Sequence, residues 1–97
     1  MIKSFRHKGL ERFFESGNKS GIRHDHAPKL RKQLAVLDNS QSIADVPVSW
    51  KPHPLTGSGP SGQDVDGHHA IWVSGNWRLT FLFAGTDVYL LDYLDCH

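Results

Sequence analysis

A chain of 97 residues can hold one small domain around a single core, and a two-domain enzyme is excluded. Its 38% hydrophobic and 22% charged residues suffice for folding, but no apolar run approaches the roughly 20 residues of a membrane helix, so no membrane partner is expected. The net charge of +1 hides a division: residues 1–33 carry nine Lys/Arg against three Asp/Glu, and residues 34–97 carry two against seven, so the basic first third suits an anionic partner or simply solvates two helices.

Ile2 to Arg6 alternate between apolar and polar, which predicts a short first strand. Leu10, Phe13 and Phe14 recur at helical spacing in GLERFFES, and Gly17 supplies the left-handed residue that ends such a helix. A longer helix is predicted from Asp25, with Asp25 as its cap and Pro28 in its first turn. Ala27, Leu30, Leu34 and Leu37 form its apolar stripe. Lys29, Arg31, Lys32 and Gln33 are expected on the outward face. SIADVPVSW reads as an irregular connector because Pro47 lacks a backbone donor. Pro52 and Pro54 demote Trp50 to Leu55 to an edge strand or extended arm.

Residues 56–67 hold four glycines, a proline and two aspartates and read as a mobile loop. Ala70 to Val73, then Trp77 to Phe83 after Ser74-Gly75-Asn76, predict a hairpin, and a second turn at Gly85-Thr86-Asp87 leads into an apolar strand over Val88 to Tyr93. Trp77, Leu79, Phe81 and Phe83 fall on one face, with Arg78, Thr80 and Leu82 on the other. The expected fold is α+β, a single domain over residues 1–97. Two N-terminal helices pack on one face of a twisted, mainly antiparallel sheet of four to five strands.

Seven histidines raise the question of a metal, but His24/His26 and His68/His69 are too close in sequence to converge, and Cys96 is the lone thiol. No metal and no cofactor is expected. The lone cysteine, together with a basic N-terminus that lacks the apolar stretch of a signal peptide, leads to the expectation of a reducing, cytoplasmic setting. The closing Asp95-Cys96-His97 is more promising, since an imidazole beside a carboxylate moves protons near neutral pH. A fixed arginine, Arg78, on the neighbouring strand would add charge stabilisation. Cleavage of RNA by its own 2′-hydroxyl needs these parts: a base, a cation for the phosphate and an acid for the leaving oxygen.

The opening IKSFRHKGLERFFESGNKSGI, His53-Pro54-Leu55 with Gly57, Asn76-Trp77-Arg78-Leu79-Thr80-Phe81 and the closing Tyr93-Leu94-Asp95-Cys96-His97 resemble the HigB branch of the RelE toxin superfamily over nearly the whole chain. The resemblance implies a RelE-like fold and a ribosome-dependent endoribonuclease that cuts messenger RNA in the decoding site. It also implies a helix-turn-helix antitoxin as partner, with operator DNA reached only through the antitoxin complex. Arg78 matches the family arginine that holds the scissile phosphate, His97 the histidine of proton transfer, and Asp95 the acid beside it. His53 matches the family's His-Pro-Leu and, with Lys51 and Arg78, is expected to line the RNA path. Two departures stand out: Thr56 where the family commonly has lysine, and Cys96 where it has tyrosine. Losses of this kind typically cost 10²–10⁴-fold in rate, which implies a weakened toxin or, alternatively, an impaired one acting mainly by binding its antitoxin in an autorepressing complex.

Overall fold

The computed structural model describes residues 1–57 and 66–95. The first helix, α1, spans Lys8–Ser16; His7 caps it, its Nδ1 accepting from the Leu10 N–H at 2.9 Å. Gly17, at φ 79°, ends it by donating its N–H to the Phe13 carbonyl, a geometry only glycine adopts without strain. The second helix, α2, spans Ala27–Asn39, after a short 3₁₀ turn at His24–His26. Leu30, Leu34 and Leu37 are fully buried along its stripe, and Pro28 sits in its first turn, where a missing N–H is harmless. Asp25 is not the cap: its carboxylate takes two hydrogen bonds from Arg23, and the helix begins from His26 with no side-chain cap. Gln33 does not face outward either. It is completely buried, donating from Nε2 to the Trp72 carbonyl at 2.9 Å.

Two further 3₁₀ turns, Ile43–Asp45 and Val48–Trp50, form the connector, which buries Val46 and Trp50. The sheet has four antiparallel strands in chain order: β1 His53–Pro54, β2 His69–Ser74, β3 Trp77–Ala84 and β4 Asp87–Asp95. Both hairpins close through two-residue turns whose first residue is a glycine at positive φ, Gly75 (54°) and Gly85 (64°), the arrangement that follows the sheet's natural twist. The prolines keep β1 to a two-residue edge strand. Of the proposed 56–67 loop, residues 58–65 lie outside the described residues; at its base the Gly57 N–H donates to the Asp66 carboxylate at 2.7 Å.

The expected strand at Ile2 to Arg6 appears instead as two isolated parallel bridges, Ile2 to Val88 and Phe5 to Leu91. Its backbone still pairs with the outer edge of β4, through Lys3 N to Val88 O at 2.7 Å and Arg6 N to Leu91 O at 2.9 Å. β4 carries a bulge here: its pairing with β3 shifts between Thr80 and Leu82, and Leu90 adopts φ 56°. The freed Leu90 N–H donates to the Ser4 hydroxyl at 2.9 Å, so the N-terminal arm satisfies the group that the bulge removes from the ladder.

One core unites these elements. Leu10 and Phe13 of α1 and the α2 leucines join Ile71, Leu79, Phe81, Val88 and Leu91 of the sheet. Gly9 of α1 lies against Gly21, so close that a Cβ on Gly9 would stand 2.6 Å from the Gly21 carbonyl oxygen. Near the start of α2, the buried His26 meets the Tyr93 hydroxyl through Nδ1 at 2.5 Å and packs edge-on against Trp77, which stacks on Tyr93 at 4.6 Å. Each such aromatic pair contributes about 0.5–1.5 kcal/mol beyond area burial.

Burial, the largest cause, holds the pKa values of His26, His7 and His69 below the usual imidazole range. The unfolded chain therefore binds more protons than the native one around pH 6. The stability these neutral rings contribute is complete above the unfolded value of about 6.5 and is lost as pH falls through the lower native values. The melting temperature is expected to fall from pH 7.5 to pH 5.5, and less steeply in a His26→Phe variant, as calorimetry across pH would record. An equal or higher melting temperature at pH 5.5 would contradict neutral, buried imidazoles.

Candidate RNA-binding site

Arg78 is set by β3 and by the turn before it. Its Nη1 donates to the carbonyls of Gly75 at 2.9 Å and Trp77 at 3.0 Å. Among the described residues no carboxylate pairs with its guanidinium. One nitrogen of the guanidinium is thus tied to the turn, and among the described residues the other two make no hydrogen bond. A guanidinium suits a phosphate because its planar fork can give two parallel hydrogen bonds. Trp77, locked in the aromatic cluster beneath, fixes the strand that carries it.

The register decides which candidates share Arg78's side of the sheet. Trp72 lies opposite Arg78, Ala70 opposite Thr80, and His53 opposite Ala70. Directly opposed residues of antiparallel strands project to the same face, as do residues two apart on one strand. His53 and Arg78 therefore occupy one face, roughly 12 Å apart between Cα atoms from strand spacing and rise, a gap a nucleotide can span. His53 is exposed, with Nδ1 3.1 Å from the Lys51 carbonyl. Lys51 is exposed too, and reaches toward the Trp72 ring. Arg78, His53 and Lys51 thus come together on one sheet face.

Asp95 is placed differently. It lies opposite Trp77 in the register, one position from Arg78 and on the alternate side of the pleat; the pKa of Arg23 is raised chiefly by its hydrogen bonds to Asp25, with a smaller contribution from the charge of Asp95. Its distance to His97 cannot be part of this geometry, because the expected proton carrier His97, with Cys96, lies outside the described residues. Two residues that sequence pattern does not single out join the site: Trp72, and Lys29 of α2, whose Nζ sits 4.0 Å from the centre of the Trp72 ring. Only the packing of α2 against β2 brings Lys29 here. Among the described residues no group of three His, Cys, Asp or Glu side chains gathers as metal ligands would, and no helix is long and apolar enough to cross a membrane.

Residues 3–97 match the family model of the RelE-like toxin HigB of type II toxin-antitoxin systems. The chain belongs to this family. It is also 39% identical, over the full length of both proteins, to a protein of Proteus vulgaris named Endoribonuclease HigB. Membership of this toxin family implies an antitoxin partner and agrees with the α+β architecture.

Proposed function

We propose that this toxin is an endoribonuclease that cuts messenger RNA on the ribosome, and that Arg78 holds the scissile phosphate. The single observation that carries this reading is the guanidinium of Arg78, anchored through one nitrogen to the turn, without a carboxylate partner among the described residues, and sharing its face with His53 and Lys51. An anchored cation that no carboxylate neutralises is preorganised for charge that grows on a phosphate in the transition state, which is where electrostatic catalysis is strongest.

In this reading the RNA supplies its own nucleophile. The 2′-hydroxyl loses its proton and attacks the adjacent phosphorus; the P–O5′ bond breaks, leaving a 2′,3′-cyclic phosphate on one fragment and a 5′-hydroxyl on the other. His97 carries the proton between these oxygens. Asp95, two residues before it in the chain and on the other side of the pleat from Arg78, does not touch the phosphate in this scheme and is the carboxylate that orients the imidazole. Lys51 and His53 hold the strand to either side. A helix-turn-helix antitoxin neutralises the toxin in the cytoplasm, and operator DNA is contacted only through their complex.

Thr56 and Cys96 lower the rate in this scheme, because neither supplies a charge or a phenol near the phosphate. Restoring both, Thr56→Lys with Cys96→Tyr, is expected to raise cleavage by about 10²-fold and to deepen growth arrest on induced expression, read as optical density against time. A chain that arrests growth neither before nor after this change would instead act by binding its antitoxin, and the endoribonuclease reading would fail.

A further inference from the structure

Trp72 stands beside Arg78 across β2 and β3, and its ring carries two ammonium groups, Lys29 Nζ at 4.0 Å and Lys51 Nζ at 5.3 Å from the centroid. The two lysines come from α2 and from the end of the Val48–Trp50 turn, yet converge on one indole. Both the backbone and the ring of Trp72 are held. Gln33 donates to the Trp72 carbonyl, and Trp72 Nε1 donates at 3.0 Å to the same Gly75 carbonyl that anchors Arg78. Indole and guanidinium therefore share one backbone oxygen as acceptor.

An aromatic face orients a cation without cancelling its charge, unlike a carboxylate, and among the described residues neither lysine forms an ion pair. Both charges stay available to an anion. A second, independent sign is the backbone of Lys51, which sits at φ 55°. Glycine adopts this conformation freely and an L side chain only under strain, and such strain is retained where a side chain is needed. In a stretch of 64 residues from position 34 onward that holds only one lysine and one arginine, the lysine is held in a strained position beside the arginine.

We infer that Lys29, Trp72 and Lys51 form a second phosphate site, which grips single-stranded RNA at the phosphate next to the one on Arg78. This deepens the endoribonuclease reading and rests on it for the identity of the strand. Arg78 alone fixes one point of the backbone; a second fixed point sets the direction in which the strand crosses the sheet. That direction is needed to align a 2′-hydroxyl with its own phosphorus.

The test is equilibrium binding of a fluorescein-labelled single-stranded 2′-O-methyl RNA about a dozen nucleotides long, which the protein cannot cleave, measured across a salt titration. The variants are Lys29→Ala, Lys51→Gly and their combination, with Trp72→Leu and Trp72→Phe as a pair. The double lysine variant is expected to lower the slope of log affinity against log salt by about 0.7, since the two lysines hold one phosphate and each single-strand phosphate neutralised contributes about 0.7. Trp72→Leu should lose part of the affinity and Trp72→Phe should restore it. Lys51→Gly should melt at or above the wild-type temperature, which separates loss of the cation from loss of the fold. An unchanged slope in the double variant overturns the inference, as does an equal loss for an RNA duplex of the same length, the mark of a merely basic surface. Binding does not require turnover: a changed slope in a chain that cuts no RNA would sustain the phosphate site and refute the cleavage reading. Cleavage with an unchanged slope would do the reverse.

Discussion

Replacing Arg78 by alanine is expected to reduce RNA cleavage by about 10²–10³-fold, the usual cost of removing one preorganised donor to a developing oxyanion. The magnitude follows from how Arg78 is held. The Gly75 and Trp77 carbonyls already fix one nitrogen, so little ordering remains when a phosphate arrives at the remaining N–H groups. Arg78→Lys keeps the charge but loses the fork, and should recover only a small part of the rate. The fold should survive both changes, because among the described residues the Arg78 side chain bonds only to backbone oxygens of its own turn. Initial rates with purified protein, beside melting curves of each variant, check both halves. Near-wild-type cleavage by a folded Arg78→Ala protein would remove Arg78 from the reaction.

The largest effect on stability is expected at Gly9. An alanine there would place its methyl carbon 2.6 Å from the Gly21 carbonyl oxygen, with the Gly21 Cα and carbonyl carbon at 2.7 and 2.8 Å. These are backbone atoms, so neither side can yield by rotating a side chain. α1 must separate from the Gly21 segment, with Leu10 and Ile22 drawn out of the core beside them. Overpacking of this sort costs about 2–3 kcal/mol. For a domain of this size that is roughly 10–20 °C in melting temperature. Gly17→Ala makes a useful contrast: its Cβ would meet open space, and only the left-handed φ of 79° penalises it, by about 1 kcal/mol. Thermal denaturation of the two variants should rank Gly9→Ala well below Gly17→Ala. Equal melting temperatures would contradict the close approach of the two glycines.

How far the sequence could be read depended on whether one period governed each segment. Leu30, Leu34 and Leu37 repeat at helical spacing, and all three are buried. Leu79 and Phe81 repeat at strand spacing, and both are buried. Gly75 and Gly85 marked the hairpin turns because glycine best takes the positive φ they require. The misreadings arise where tertiary contacts override such local rules. Asp25 has the chemistry of a helix cap, but Arg23 two residues away claims its carboxylate. Gln33 looks like a surface residue on a basic face, yet a strand carbonyl at Trp72 draws it inward. The bulge at Leu90 leaves no trace in the uniformly apolar run Val88 to Leu91.

For the site, Arg78 stood out as the cation of a hydrophobic strand, and the face it shares with His53 follows once the strand register is known. Lys29 could not have been assigned to it. Its local sequence is that of any solvated helix face, and only the packing of α2 against β2 sets its ammonium over Trp72.

In the proposed reaction Arg78 and His97 act on one phosphate of a translated message. Mapping new 5′-hydroxyl ends of cellular transcripts after brief induction of the wild-type chain, Arg78→Ala and a chain lacking His97 puts this to the test. The expected result is a set of new ends within translated reading frames for the wild type, absent when ribosomes are cleared from the messages and lost in both variants. Undiminished ends in either variant, or no new ends from the wild type or its Thr56→Lys, Cys96→Tyr counterpart, would contradict the account.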